Sequence, residues 1–155
     1  MNSKQLRELV HETLQYLDPV IPYSSQAENL VLMTIAHESS NGEYIRQKDN
    51  GPALGICQME PRTHDDIHEN FLQFKPELNF MVGMLSGFSS TAETLVWDLK
   101  YAIAMCRVHY YRVPEALPSS LEGLALYAKE HYNTHLGKAT SEDYLLAYQR
   151  HYKGE

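Results

Sequence analysis

No stretch of about 20 apolar residues occurs in the chain, so no membrane-spanning helix is expected. Basic residues are scarce: 13 Lys and Arg stand against 20 Asp and Glu, for a formal net charge of −7. An acidic chain gains nothing from phosphate-backbone electrostatics, and no basic patch with interleaved aromatics is present, which argues against nucleic acid as a partner. Cysteine is limited to Cys57 and Cys106. Both sit in apolar context and are expected to be free, buried thiols, with a single disulfide as the alternative. Their spacing does not suit a zinc site. The N-terminal segment MNSKQLRELVHETLQYLD has no continuous apolar core, so it reads as an amphipathic helix and not as a signal peptide.

What is present is a globular composition. Hydrophobic residues make up 43% of 155 residues, enough for one domain with one core, assigned to residues 1–155. Helix signals recur along the chain. Leu6, Leu9, Val10, Leu14 and Leu17 repeat at helical spacing, and Pro19 follows. Ser25-Gln26-Ala27-Glu28 has the form of a capping box opening a helix over about 26–40, with Gly42 as its stop. Pro61 suits the first turn of a helix over about 61–71. A short helix is expected over 78–88. Ser90-Thr91-Ala92-Glu93 reads as a second box, opening the longest helix, over about 91–112. Ser119-Ser120-Leu121-Glu122 reads as a third, opening a helix to about residue 132. A last helix is expected over 141–152. Residues 42–60 differ: Asn50-Gly51-Pro52 is strong turn chemistry, and a long loop with a small β-hairpin is expected there. The predicted class is α+β, predominantly helical.

Glu38 is the residue that turns this outline toward function. Val31, Thr34 and Ile35 lie seven, four and three residues before it and share its helical face. Glu38 therefore continues an apolar stripe at a helix C-terminus. Burial and the negative end of the helix dipole both disfavour its charged form. A carboxyl kept protonated is what general acid catalysis needs. The competing reading is a last-turn Glu that points to solvent.

Glu38-Ser39, followed by Gly55-Ile56-Cys57-Gln58-Met59-Glu60-Pro61-Arg62-Thr63, resembles the lysozyme-like lytic transglycosylases. Gly55, Gln58, Met59, Pro61 and Thr63 stand at that family's motif positions. Its third element, Ala-Tyr-Asn before a glycine, is matched by His131-Tyr132-Asn133 with Gly137 following, so the Ala is replaced. The three elements occur in order across residues 38–137. The compact, signal-free form resembles phage-encoded members.

This resemblance implies a lysozyme-like fold, with a cleft between helices and the β-hairpin region in residues 42–60. It implies a peptidoglycan glycan strand as substrate, cut between N-acetylmuramic acid and N-acetylglucosamine, without cofactor or metal. Glu38 would be the single catalytic acid and base. Gln58, Tyr132 and Asn133 would hold the sugar, with Ser39 a weaker carry-over. The muramic acid 6-hydroxyl would close a 1,6-anhydro ring. Ordinary glycosidases need a second carboxylate; a tethered hydroxyl replaces the water that carboxylate would activate. A host-infection role would have the protein made in the cytoplasm and act on the periplasmic wall, released through holin lesions or carried with other virion proteins, without inserting into a membrane.

Two alternatives stay open. A hydrolytic muramidase would need a partner such as Asp49, Asp65 or Asp66, whose ordinary roles are a turn residue and helix first-turn charges. A non-catalytic module would keep the cleft and lose turnover. Among the 11 tyrosines, Tyr101 is balanced between a sugar-stacking role and core packing, whereas Tyr110 reads as core. His64 and His68, four residues apart, lack a third ligand and read as a solvated pair. Arg107 and Arg112 read as ion-pair or surface residues. Asn41 stands where an His-Glu-x-x-His motif would need its second histidine.

Overall fold

The computed structural model describes residues 1–89, 91–133 and 137–153. Among these residues there are eight α-helices: α1 (Ser3–Leu17), α2 (Ser25–Glu38), α3 (Pro61–Asn70), α4 (Pro76–Leu85), α5 (Thr94–Trp97), α6 (Leu99–Tyr111), α7 (Leu121–Ala128) and α8 (Ser141–His151). One π-helical turn, Lys129–Asn133, continues α7.

Helix α2 is buried on nearly every side from Ala27 to Ala36, and α6 likewise from Tyr101 to Val108. A helix apolar all round belongs in the centre of a domain. Helices α1, α6, α7 and α8 pack around α2. In contrast, α1 is amphipathic and buries Leu6, Val10, Leu14 and Leu17, as its stripe predicts. The chain is predominantly helical, and no helix among the described residues is long and apolar enough to cross a membrane.

The expected β-hairpin is absent. Among the described residues, 42–60 hold two isolated bridges, Arg46 with Leu54 and Leu54 with Met59, and no strand. The burial pattern explains this. Every residue from Ala53 to Met59 is buried, so the two-residue alternation of a half-buried strand is missing. Leu54 and Met59 exchange both backbone bonds across a tight turn, and Gln58 N donates to Gly55 O at 3.0 Å. Gly55 has φ +80°, and a Cβ there would lie 2.4 Å from the Leu95 carbonyl oxygen, so this turn requires glycine.

Helix boundaries also differ in informative ways. The cap of α2 is Ser24, not Ser25: its side chain accepts from Ala27 N at 3.1 Å. Glu28 does not complete a box, because Arg7 and His11 of α1 bind its carboxylate at 2.7 and 2.8 Å. The long helix expected over 91–112 is broken at Asp98. The Asp98 carboxylate accepts from Tyr101 N at 2.9 Å and caps α6, while its backbone turns extended. Ser90, the first residue of the second predicted box, lies outside the described residues. In the third, Ser120 alone caps α7 by accepting from Gly123 N. The full capping box is at Thr140 and Asp143, opening α8.

Candidate active site

Helix α2 ends at Glu38 because Ser40, Asn41 and Gly42 all take positive φ and turn the chain away. Ser39 fixes that end. Its buried hydroxyl donates to the Ile56 carbonyl at 2.6 Å, sits 3.1 Å from the Ile35 carbonyl and accepts from Gly42 N at 2.9 Å. Ser39 thus ties the acid-bearing helix to the Gly55–Gln58 turn. Its side chain is fully buried and is not among the residues lining the cleft described below.

The turn and the helix end meet in a cleft of about 580 Å³ lined by Glu38, Gln58, Tyr132 and Asn133, among others. Four of the six residues singled out in the sequence therefore converge, from segments up to 95 positions apart (133 − 38). A second hollow of about 230 Å³ also includes Glu38, Gln47 and Gln58 in its walls, together with Tyr44 and Lys48. Glu38 lies between the two.

The Glu38 carboxyl is partly buried, and that desolvation holds its pKa above the usual Glu value. A hydrogen bond from the Tyr144 hydroxyl to Oε1 acts in the opposite direction but does not cancel it. The hydroxyl of Tyr144 is itself pushed far up, first by burial and then by Glu38, so it remains a proton donor to the carboxyl. Asn133 acts on the same hydroxyl in the opposite direction, lowering its pKa. Its Oδ1 accepts from Lys129 Nζ at 2.8 Å, and Lys129 also holds the Gly137 carbonyl at 2.9 Å.

Tyr132 donates to the Cys57 carbonyl at 2.5 Å and packs its ring against Tyr110 and His109. It clamps the π-turn onto the Gly55–Gln58 turn. Gln58 sits at φ +48° with Nε2 donating to Gly55 O at 2.9 Å. That bond leaves its Oε1 as an acceptor at the cleft wall.

Tyr101 is not part of this arrangement. It is fully buried, and its hydroxyl lies 2.7 Å from His64 Nε2 and 2.9 Å from His68 Nε2. The histidines are therefore not a solvated pair. His64 is fully buried, with Nδ1 on Asp65 at 2.9 Å. Asp66 pairs with Arg112 at 2.7 Å, and Asp49 is exposed in a 3₁₀ turn. None of Asp49, Asp65 and Asp66 lines the cleft. Cys57 and Cys106 are both free and buried, and Arg107 is buried with its guanidinium over the Tyr111 ring.

Comparison of the chain with protein-family models, with curated proteins and with solved structures finds no match. The site therefore rests on its own geometry.

Sequence reasoning missed Tyr144, His109 and Glu60. Tyr144 follows no motif; its signal is the register of α8, which places it with Ala147 and Tyr148 on the buried face. His109 lines the cleft and bonds the His131 carbonyl through Nε2 at 2.8 Å. Burial lowers its pKa to about 4. Glu60 is a second carboxylate in the cleft wall, placed there by the α3 start at Pro61. Away from the cleft, Glu115, Glu130 and His131 bring three ligand-type atoms within 4.8 Å of one another at the surface, where His131 already pairs with Glu115 at 2.9 Å.

Proposed function

We propose that this protein is a peptidoglycan lytic transglycosylase that uses Glu38 as its single catalytic acid and base. The observation that carries the reading is the convergence of Glu38, Gln58, Tyr132 and Asn133 on one cleft, with the Glu38 pKa raised by desolvation. In this reading, protonated Glu38 gives its proton to the glycosidic oxygen as the bond to the leaving sugar breaks. The resulting carboxylate then takes the proton of the muramic acid 6-hydroxyl as that oxygen closes onto the anomeric carbon. Glu38 ends protonated: the proton it gave to the leaving oxygen is replaced by the one taken from the 6-hydroxyl, which readies it for the next turn. Tyr144 stabilises the transient carboxylate by donating to it. Delivery to the wall by a phage belongs to the same proposal.

Glu60 supports a second reading. It lines the cleft with Glu38, and a carboxylate on the far side of the sugar could activate water, giving a hydrolytic muramidase. The test is mass spectrometry of soluble fragments from purified peptidoglycan, using wild type, Glu38→Gln and Glu60→Gln. Fragments ending in 1,6-anhydromuramic acid, lost in Glu38→Gln and kept in Glu60→Gln, are expected. Reducing ends carrying an added water, lost in both variants, would establish the hydrolase. No fragments from the wild type would overturn both.

A further inference from the structure

The two histidines that stand without a third ligand in the sequence acquire one in the structure. His64 and His68 lie one helical turn apart on α3, with ring centroids 4.7 Å apart. Both place Nε2 against the same atom, the hydroxyl of Tyr101 on α6, at 2.7 and 2.9 Å. Two nitrogens and one oxygen, all ligand-type atoms, thus converge between two helices. The other ring nitrogen of His64 is also engaged: Nδ1 lies 2.9 Å from Asp65 Oδ1. A carboxylate only accepts, so Nδ1 carries the proton, and in the neutral ring Nε2 presents its lone pair to Tyr101. The same carboxylate–histidine pairing orients imidazoles at metal centres. Burial, and then His64 beside it, lower the pKa of His68, which keeps that ring neutral as a ligand must be. His64 and Tyr101 are fully buried, whereas His68 is half-buried, so the cluster reaches the surface past His68.

We propose that His64 Nε2, His68 Nε2 and the Tyr101 oxygen form a site for one divalent transition-metal ion, Cu²⁺ or Zn²⁺ in type. None of the three residues lines the cleft at Glu38, and the inference is independent of the reaction proposed there. Two imidazoles disfavour Mg²⁺ and Ca²⁺, which take oxygen ligands, and suit copper and zinc. Without an ion, hydrogens hold the three atoms together: Tyr101 donates to His64 Nε2, and His68 Nε2 donates to Tyr101. Metal binding replaces both hydrogens. The Tyr101 proton leaves to solvent as the metal–oxygen bond forms. The His68 hydrogen passes to Nδ1 through solvent, so that ring stays neutral. Burial raises the Tyr101 pKa, which keeps the phenol protonated until a cation offsets the phenolate charge. Metal–ligand bonds of about 2.0–2.2 Å set neighbouring donors roughly 3.3 Å apart in a tetrahedron, so the cluster opens by only about half an ångström. A water on the His68 side completes a four-coordinate shell. The ion would tie α3, whose Arg62 and Thr63 line the cleft, to α6, whose His109 lines it too.

The test titrates the whole protein, first treated with a chelator, with Cu²⁺ and with Zn²⁺. One equivalent of Cu²⁺ is expected to bind and to develop a visible phenolate-to-copper charge-transfer absorption. Zn²⁺ is expected to compete for the same site and to raise the melting temperature. Tyr101→Phe removes only the hydroxyl and should abolish the absorption. His68→Gln should abolish tight binding. Asp65→Asn, at an exposed side chain, should keep the absorption and weaken binding about tenfold, as the loss of an orienting partner does. Glu115→Gln with Glu130→Gln dismantles the surface trio that these residues form with His131, and should change nothing. Copper bound to the wild type without the absorption would overturn the inference, whatever the stability of the variants. So would the binding of neither ion, an absorption that survives Tyr101→Phe, or binding lost with Glu115 and Glu130. Each of these results leaves the proposed function standing.

Discussion

The hydroxyl of Tyr144 donates a hydrogen bond to Oε1 of Glu38, joining residues 106 positions apart. This bond favours the charged carboxylate and opposes the desolvation that favours the neutral acid. The two effects set the pKa of Glu38 together. Tyr144→Phe removes the lowering contribution, so the pKa should rise further. The alkaline limb of the kcat/KM profile should move to higher pH, which a pH–rate series on soluble glycan strands would read. An unmoved limb would remove Tyr144 from the proposed mechanism.

Glu38→Gln should lower activity about 10²- to 10⁴-fold, the usual contribution of a positioned general acid. It should also stabilise the protein at neutral pH. A carboxyl with a folded-state pKa above its ordinary 4.5 contributes stability below that pH and loses it as pH rises through the folded value. The glutamine cannot ionise and escapes that loss. Thermal melts of the two proteins should coincide at pH 4 and separate, with the variant higher, at pH 7.

His109 should act on stability in the opposite sense. Its folded pKa is depressed from 6.5 to about 4 by burial, so the unfolded chain binds a proton between those values that the native protein does not. Stability should fall as pH drops from 6.5 toward 4. Urea unfolding across that window should show a slope approaching one proton, reduced in His109→Gln.

Ser39→Ala should behave as a folding mutation and not as a binding one. It leaves the Ile56 carbonyl and the Gly42 amide without the buried hydroxyl they share. A loss of about 1–3 kcal/mol in denaturant unfolding is expected. A higher KM at unchanged stability would instead return Ser39 to the substrate.

Gly55→Ala should cost about 2 kcal/mol or more, because positive φ disfavours an L side chain and the new Cβ meets the Leu95 carbonyl. Chemical denaturation measures it. A neutral result would mean that the Gly55–Gln58 turn can shift away from α5.

Much of the helical outline is legible in the chain. The stripe of α1, the proline at the first turn of α3 and the wholly apolar run of α2 each reflect local propensity or periodicity, which neighbouring residues set. Glu38 is legible too, because helical phase alone places it on the face of Val31, Thr34 and Ile35. The errors fall where distant groups compete for the same atoms. Glu28 has capping-box form, but Arg7 takes its carboxylate. Asp98 reads as a mid-helix residue until its side chain caps α6. Tyr101 has the chemistry of a sugar platform, but two histidines of α3 claim its hydroxyl inside the core.

The sequence by itself determined the helical class, the acid at the end of a buried helix, and the candidates Gln58, Tyr132 and Asn133. The first two follow from residue type and short-range spacing; Gln58, Tyr132 and Asn133 are candidates through the resemblance of their motifs to the lysozyme-like lytic transglycosylases. The tertiary structure decided that residues 42–60 form a buried turn in place of a hairpin, that Ser39 is a tie, and that Tyr144 faces Glu38. Those outcomes depend on which atoms from remote segments share a desolvated space, and a hydrogen bond across 106 positions leaves no period in the chain for a reader to find.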